Sequence, residues 1–285
     1  MADRSAPAFE VLSPPRQSVP VVLASPHSGR DYPAAFVAAS RLDAAALRRS
    51  EDGFVDELFA GCVALGAPLV RARFPRAYVD PNREPCELDP AMFEGPLPAH
   101  ANTASVRVRN GLGTIPRIVA NGAEIYAGRL PVAEAERRIR DFYRPYHAAL
   151  GRLIRRTRRC FGTAVLVDCH SMPSVGGSGL TSVDFVVGDR YGTSCHPRYS
   201  EAVAAALADL GYTVRRNAPY AGGFTTVFYG RPDRGVNALQ IEVNRALYMD
   251  EARFAKTAGF ARIARQMTAV VGALASLHPL GVAAE

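Results

Sequence analysis

Three apolar runs in the chain each stop at a dense polar tip. Val21-Val22-Leu23-Ala24 runs into Ser25-Pro26-His27-Ser28-Gly29, Val165-Leu166-Val167 into Asp168-Cys169-His170-Ser171, and Ala238-Leu239-Gln240-Ile241 into Glu242-Val243-Asn244-Arg245. Runs this short and apolar read as buried strands. In an open α/β sheet the carboxyl ends of such strands face one crevice, so the three tips are expected to share a site. Two histidines and a glutamate would meet there. With one further acid, that set is what a catalytic zinc uses: three N/O ligands, an open position for water and a carboxylate base.

The rest of the chain fits this frame. Residues 1–20 carry Pro7, Pro14, Pro15 and Pro20 and read as a lead-in to the first strand. Apolar spacing through Leu47, Phe54, Val55, Leu58 and Cys62 predicts a helix over 41–65. Strands are expected at 68–73 and 77–80. Residues 81–126 are rich in Pro, Gly and Asn with little periodicity, and a loop of that length in a compact domain is usually functional, here wrapping the site. Pro131 opens a long amphipathic helix over 132–159 with a kink at Pro145, and Arg155, Arg156, Arg158 and Arg159 form its solvated basic end. Strands at 164–168, 183–187, 213–216 and 238–243 then alternate with helices at 198–210 and 250–277, which predicts a largely parallel sheet with helices on both faces. No linker follows the lead-in, so the 285 residues are expected to form a single catalytic domain.

Composition excludes several classes. With 48% apolar and 21% charged residues the chain has the makings of a packed core. The formal charge is +7, and Lys256 is the one lysine among 34 basic residues. Arginine suits bidentate recognition of carboxylates, so an anionic partner is expected, although a bias toward arginine codons would also give this balance. Five cysteines, Cys62, Cys86, Cys160, Cys169 and Cys195, are odd in number and form no C-x-x-C pair, against both a disulfide framework and a cysteine zinc site. No charged start leads into a long apolar stretch, and no run approaches the ~18 apolar residues of a membrane span, so a cytoplasmic protein without a membrane partner is expected. No nucleic-acid-binding motif accompanies the basic residues.

The candidate site residues each admit a plainer reading. His27 and His170 suit metal ligation from rigid strand ends, or either ring simply hydrogen-bonds within its loop. Glu242, in a strand otherwise suited to burial, is either paired, for instance with Arg245, or is an acid–base group beside a cation. Asn82 and Arg83 would clamp a substrate carboxylate, or Arg83 closes the turn onto Asp80. His100, His147, His196 and His278 lack any partner pattern and read as structural. The glycine-rich stretch Gly176-Gly177-Ser178-Gly179 lacks GxGxxG spacing or a P-loop lysine and reads as a mobile loop.

At these residues the chain resembles the N-formylglutamate amidohydrolase (deformylase) family. The segments are Ser25-Pro26-His27-Ser28-Gly29, Glu51-Asp52 leading into Val55, Arg76 through Arg83, Arg144-Pro145-Tyr146-His147, Asp168-Cys169-His170-Ser171, Gly222-Gly223-Phe224, Tyr229-Gly230-Arg231-Pro232, Gln240-Ile241-Glu242 and Tyr248-Met249-Asp250-Glu251. Their order and spacing are kept. The resemblance implies a three-layer α/β sandwich with a mostly parallel mixed sheet, like that of zinc carboxypeptidases and other phosphorylase/hydrolase-like folds. It further implies cleavage of N-formylglutamate to formate and glutamate in histidine degradation.

Carried over by position, His27, one acid of Glu51-Asp52, and His170 would hold one Zn²⁺ per chain, with Glu242 as general base. Members with Thr-Asp at the acidic pair favour Asp52, while helical phasing with Leu47, Phe54, Val55 and Leu58 favours Glu51; Asp52 is taken here. Arg83, Asn82, Arg76 and Arg245 are the candidates for holding the carboxylates of a small anionic N-acyl amino acid. The chain departs from the pattern at Val243-Asn244-Arg245, where histidine-pathway deformylases tend to have Met-Ala-Gln. It departs again at Arg30, where the carboxypeptidase-like H-x-x-E would put a glutamate. An amidase for another N-acyl amino acid or a peptidoglycan-type amide is the alternative, and a polyanion-binding protein a remoter one. The donor set would also suit iron, cobalt or manganese.

Overall fold

The structure, a computed structural model, describes residues 7–174 and 183–278. The stretch Gly176–Gly179 lies outside the described residues. The chain divides into two compact units: Met1–Glu10, Pro26–Glu51 and Arg71–Ala149 form one, and Val11–Ser25, Asp52–Val70 and Leu150–Glu285 the other.

The strands in chain order are β1 (Phe9–Leu12), β2 (Val21–Ser25), β3 (Leu69–Ala72), β4 (Phe93–Glu94), β5 (Leu130–Pro131), β6 (Ala164–Met172), β7 (Phe185–Gly188), β8 (Val214–Arg216), β9 (Val236–Asn244), β10 (Met249–Asp250) and β11 (Ala255–Lys256). Seven of them form one sheet in the order β1-β3-β2-β6-β9-β7-β8. β6 pairs in parallel with both β2 and β9, and β7 runs antiparallel to β9. The sheet is thus mixed and mostly parallel, as expected, and every residue of β2 and β6 is buried, which is why both read as unbroken apolar runs. β1 falls within the segment read as a lead-in. The expected strand at 77–80 is instead a turn, in which Tyr78 N and Val79 N donate to Pro75 O at 2.9 and 3.3 Å.

The helices are α1 (Ala34–Ala39), α2 (Ala44–Arg48), α3 (Val55–Leu58), α4 (Val106–Arg109), α5 (Val132–Arg138), α6 (Arg144–Phe161), α7 (Pro197–Asp209), α8 (Phe224–Tyr229) and α9 (Phe260–Ser276). Among the described residues, no helix is long and apolar enough to cross a membrane. In the second unit, alternation within the strands divides the sheet into two chemistries. Val165, Val167 and Cys169 of β6 and Leu239, Ile241 and Val243 of β9 share a core with Val55 and Leu58 of α3, Val203 and Leu207 of α7, and Ile263, Met267 and Val271 of α9. The intervening residues, Asp168 and His170 of β6 and Gln240 and Glu242 of β9, point to the other face.

Two expected helices are broken, each for a local reason. Over 41–65 the chain forms α2, a turn, α3 and a 3₁₀ segment at Ala60–Leu65, because Phe54 adopts a left-handed φ of 61°. Over 132–161 a π turn, Ile139–Tyr143, lies between α5 and α6. Pro145 has no N–H and would clash with the carbonyl four residues back in a regular helix, so the wider turn replaces the expected kink.

The first unit is built around a buried cation. Arg138 is 2% exposed, with its guanidinium 4.1 Å from the Tyr78 ring centroid, and it donates to Glu134 Oε1 at 2.7 Å, Tyr126 Oη at 2.6 Å and Tyr78 O at 3.2 Å. Arg138→Met would leave two buried acceptors unbonded while Glu134 keeps Arg137. We expect the unfolding free energy to fall by about 3 kcal/mol in urea titration, the low end for breaking a buried ion pair. An unchanged midpoint would show that the cage contributes nothing.

Candidate functional site

The site begins on β6. Strand β6 runs four residues beyond the expected end at 168, so His170 lies inside the strand, with Asp168 two positions before it on the same face. His170 is 3% exposed; its Nε2 is 2.9 Å from Asp168 Oδ2 and its Nδ1 is 2.9 Å from Asp52 Oδ2. Burial alone lowers the pKa of this imidazole, but the Asp168 charge, with the hydrogen bonds to Asp168 and Asp52, outweighs it and holds the value well above the usual histidine range. The pair of carboxylates therefore favours a cation at this position. Asp52 is delivered by the sharp turn before α3, and its other oxygen, Oδ1, accepts from Ser171 Oγ at 3.3 Å and Arg245 Nη2 at 3.2 Å.

His27 stands two residues beyond β2, in a tip that must pass against the backbone of Phe74. A Cβ on Gly29 would lie 2.0 Å from Phe74 O, so only glycine fits that turn. His27 Nε2 is 2.8 Å from Asp80 Oδ1. Asp80 in turn meets Arg76 at 2.7 Å and Arg83 at 3.5 Å and accepts from Asn82 N at 2.8 Å. Burial pushes the Asp80 carboxyl up, but Arg83, Arg76 and His27 outweigh it and hold it well below the usual range. Each imidazole thus has a carboxylate on its Nε2 side. A carboxylate there takes the Nε2 proton, so Nδ1 is the atom each ring would present to a metal, the arrangement found behind metal-bound histidines.

His27, Asp52 and His170, all buried, each offer one ligand atom within 4.8 Å of the others. Two imidazole nitrogens and one carboxylate oxygen are a fitting donor set for zinc or a similar divalent ion. Glu51, the other acid considered from the sequence, accepts from Tyr32 Oη at 2.6 Å and Arg48 Nε at 3.0 Å, and burial raises its pKa.

Glu242 lies directly opposite His170 in the parallel register of β9 and β6, on the same face, and is 7% exposed. Gln240 Nε2 donates to Glu242 Oε1 at 2.7 Å, while Gly223 N donates to Gln240 Oε1 at 3.1 Å. The second bond fixes which end of the amide faces the glutamate.

The four residues read as substrate clamps fare differently. Arg83 is buried and donates to Leu112 O at 2.9 Å and Asn82 O at 2.8 Å besides its contact with Asp80, so the turn-closing bond is present. Asn82 is buried, with its backbone on Asp80. Arg76 keeps 22% exposure beside Asp80. Arg245 is 8% exposed and engages Asp52 and Ser171. Of the histidines set aside, His147 bonds Pro81 O, His196 caps α7, and His278 bonds Tyr199.

The profile of the N-formylglutamate amidohydrolase family matches residues 19–249. The chain belongs to this family. It is 33% identical over 266 residues to the N-formylglutamate deformylase of Pseudomonas aeruginosa, spanning 90% of this chain and 92% of that one. Against the Pseudomonas putida N-formylglutamate deformylase, identity is 30%, with 85% and 86% covered. The crystal structure of an N-formylglutamate amidohydrolase from Ralstonia eutropha JMP134 superposes with a TM-score of 0.90 at 38% identity, over 97% of this chain and all of that one. The Agrobacterium tumefaciens gene product Atu2144, at 22% identity and a TM-score of 0.61, shares the fold.

Proposed function

We propose that this protein is a metal-dependent deformylase that hydrolyses N-formyl-L-glutamate to formate and L-glutamate, in the cytoplasm and as a step of histidine degradation. The observation that carries the proposal is the buried donor set of His27, Asp52 and His170, with Asp80 and Asp168 behind the imidazoles. The family membership and the deformylase relatives support the substrate.

A Zn²⁺ held by these three residues would lower the pKa of its water toward about 7 and polarise the amide carbonyl. Glu242 accepts the proton of the attacking water and returns it to the leaving amine as the C–N bond breaks. Gln240 holds Glu242 for both transfers, and Asp168 and Asp80 keep the imidazoles in the tautomer the metal needs. Among the candidate clamps, Arg76 retains surface with which to meet a substrate carboxylate, and it is our first choice for that role. Such positioning is worth roughly 7–11 kcal/mol of barrier where reacting groups are held in line.

The test is formate release from N-formyl-L-glutamate by zinc-loaded protein, with chelated protein and N-acetyl-L-glutamate as parallel samples. We expect formate from the first sample, none after chelation, and restoration on adding zinc. Turnover that survives complete metal removal would overturn the metal-dependent reading, and turnover of the acetyl compound alone would overturn the acyl assignment.

A further inference from the structure

Arg245 stands where the sequence departs from the deformylase pattern, and a substrate-binding arginine was the expectation there. The structure shows its guanidinium bonded to Ser171, Asp52 and Glu251. Arg245 opens the 3₁₀ turn Arg245–Leu247 directly after β9, and the turn is pinned by Asn244, whose side chain accepts from Ala246 N at 3.0 Å and donates to Val183 O at 2.9 Å. From this fixed root, Nε donates to Ser171 Oγ at 3.0 Å, Nη2 to Asp52 Oδ1 at 3.2 Å and Nη1 to Glu251 Oε2 at 3.4 Å. Ser171 Oγ itself donates to Asp52 Oδ1 at 3.3 Å. One oxygen of Asp52 therefore receives two donors that are bonded to each other, while Oδ2 faces His170 Nδ1 at 2.9 Å.

We propose that Arg245 is a positioning residue that clamps Oδ1 of Asp52, so that the carboxylate meets the metal through Oδ2 alone. A carboxylate with both oxygens available can chelate a divalent ion and fill a coordination position. A three-ligand hydrolytic site has to keep that position open for water. A bidentate-capable guanidinium tied to a neighbouring hydroxyl is well suited to withdrawing one oxygen, and a lysine ammonium is not an equivalent replacement. The inference rests on the metal site proposed above, but not on the identity of the substrate.

The test uses the metal itself. In Arg245→Met, affinity for Zn²⁺, measured by chelator competition, is expected to fall about 10–100-fold, as on losing a partner behind a metal ligand. In the Co²⁺-substituted protein, the strong visible bands of four-coordinate cobalt should weaken toward those of a higher-coordinate ion. Arg245→Lys should fall between Arg245→Met and the parent. Ser171→Ala removes the second donor with little change in volume and should shift the cobalt spectrum in the same sense, which covers the case in which Arg245→Met does not fold. Unchanged metal affinity and cobalt bands in both Arg245→Met and Ser171→Ala would overturn the clamp. A rise in KM for Arg245→Met with the metal readouts unmoved would return the residue to substrate binding. Since neither metal readout needs turnover, a protein that binds zinc as described yet ignores N-formylglutamate would count against the substrate and not against the clamp.

Discussion

Glu242→Gln is expected to keep its metal and its fold and to lose turnover, with kcat falling about 10²–10⁴-fold, the usual contribution of a positioned acid–base group. The substitution is close to isosteric. Gln240 Nε2, 2.7 Å from Glu242 Oε1, can still donate to the new amide oxygen, and Gly223 N still orients Gln240. Hydrogen bonding and packing on this face of β9 are therefore largely preserved, and what disappears is a basic oxygen able to take and return a proton. Glu242 lies outside the donor set, so bound metal should remain near one equivalent. KM should change little, because an interaction used only in the transition state appears in kcat. A variant that retains parental kcat would remove Glu242 from the reaction and move the search for the base to the carboxylates behind the imidazoles.

Much of this arrangement was readable in the residues, because period-two alternation is a strong signal in buried strands. Asp168-x-His170 and Gln240-x-Glu242 are each an i, i+2 pair, so the same spacing that places His170 and Glu242 on one face places their partners beside them. A polar residue within an apolar run stands out singly, so Asp168 and Gln240 show as partners only when each strand is taken at its period of two. Asp80 is a different case. It supports His27 from 53 positions away, in a turn that looked like a strand, and no local pattern links the two. The broken helix over 41–65 also lay beyond the pattern. Apolar spacing continues through Glu51-Asp52-Gly53 while the backbone turns at Phe54, and periodicity records side-chain character and not φ. That turn is what gives Glu51 and Asp52 separate partners, so helical phasing, which favours Glu51, has no hold in a segment that is not one helix. Composition favours anionic partners, but Asp80 and Asp52 are themselves the anions that Arg83 and Arg245 engage.

His170→Gln should show the other large effect, on metal retention. Structural zinc sites bind with about 10–16 kcal/mol, so each ligand of such a site carries about 3–4 kcal/mol, equivalent to a few hundred-fold in affinity. Glutamine can still donate a hydrogen bond to one of the carboxylates that His170 holds, Asp52 at 2.9 Å and Asp168 at 2.9 Å, but its amide nitrogen has no lone pair to offer a metal. After dialysis against metal-free buffer, the parent is expected to retain close to one zinc per chain by elemental analysis and the variant a small fraction of that. Millimolar zinc should partly refill the variant and restore part of its turnover, which separates a weakened site from a misfolded chain. The metal-free variant should also be less stable to heat than the metal-free parent, since two buried carboxylates lose an imidazolium between them. If the variant keeps its full equivalent of zinc through dialysis, then His170 is not a ligand, and its two carboxylates would mark a buried structural ion pair at the carboxyl end of β6.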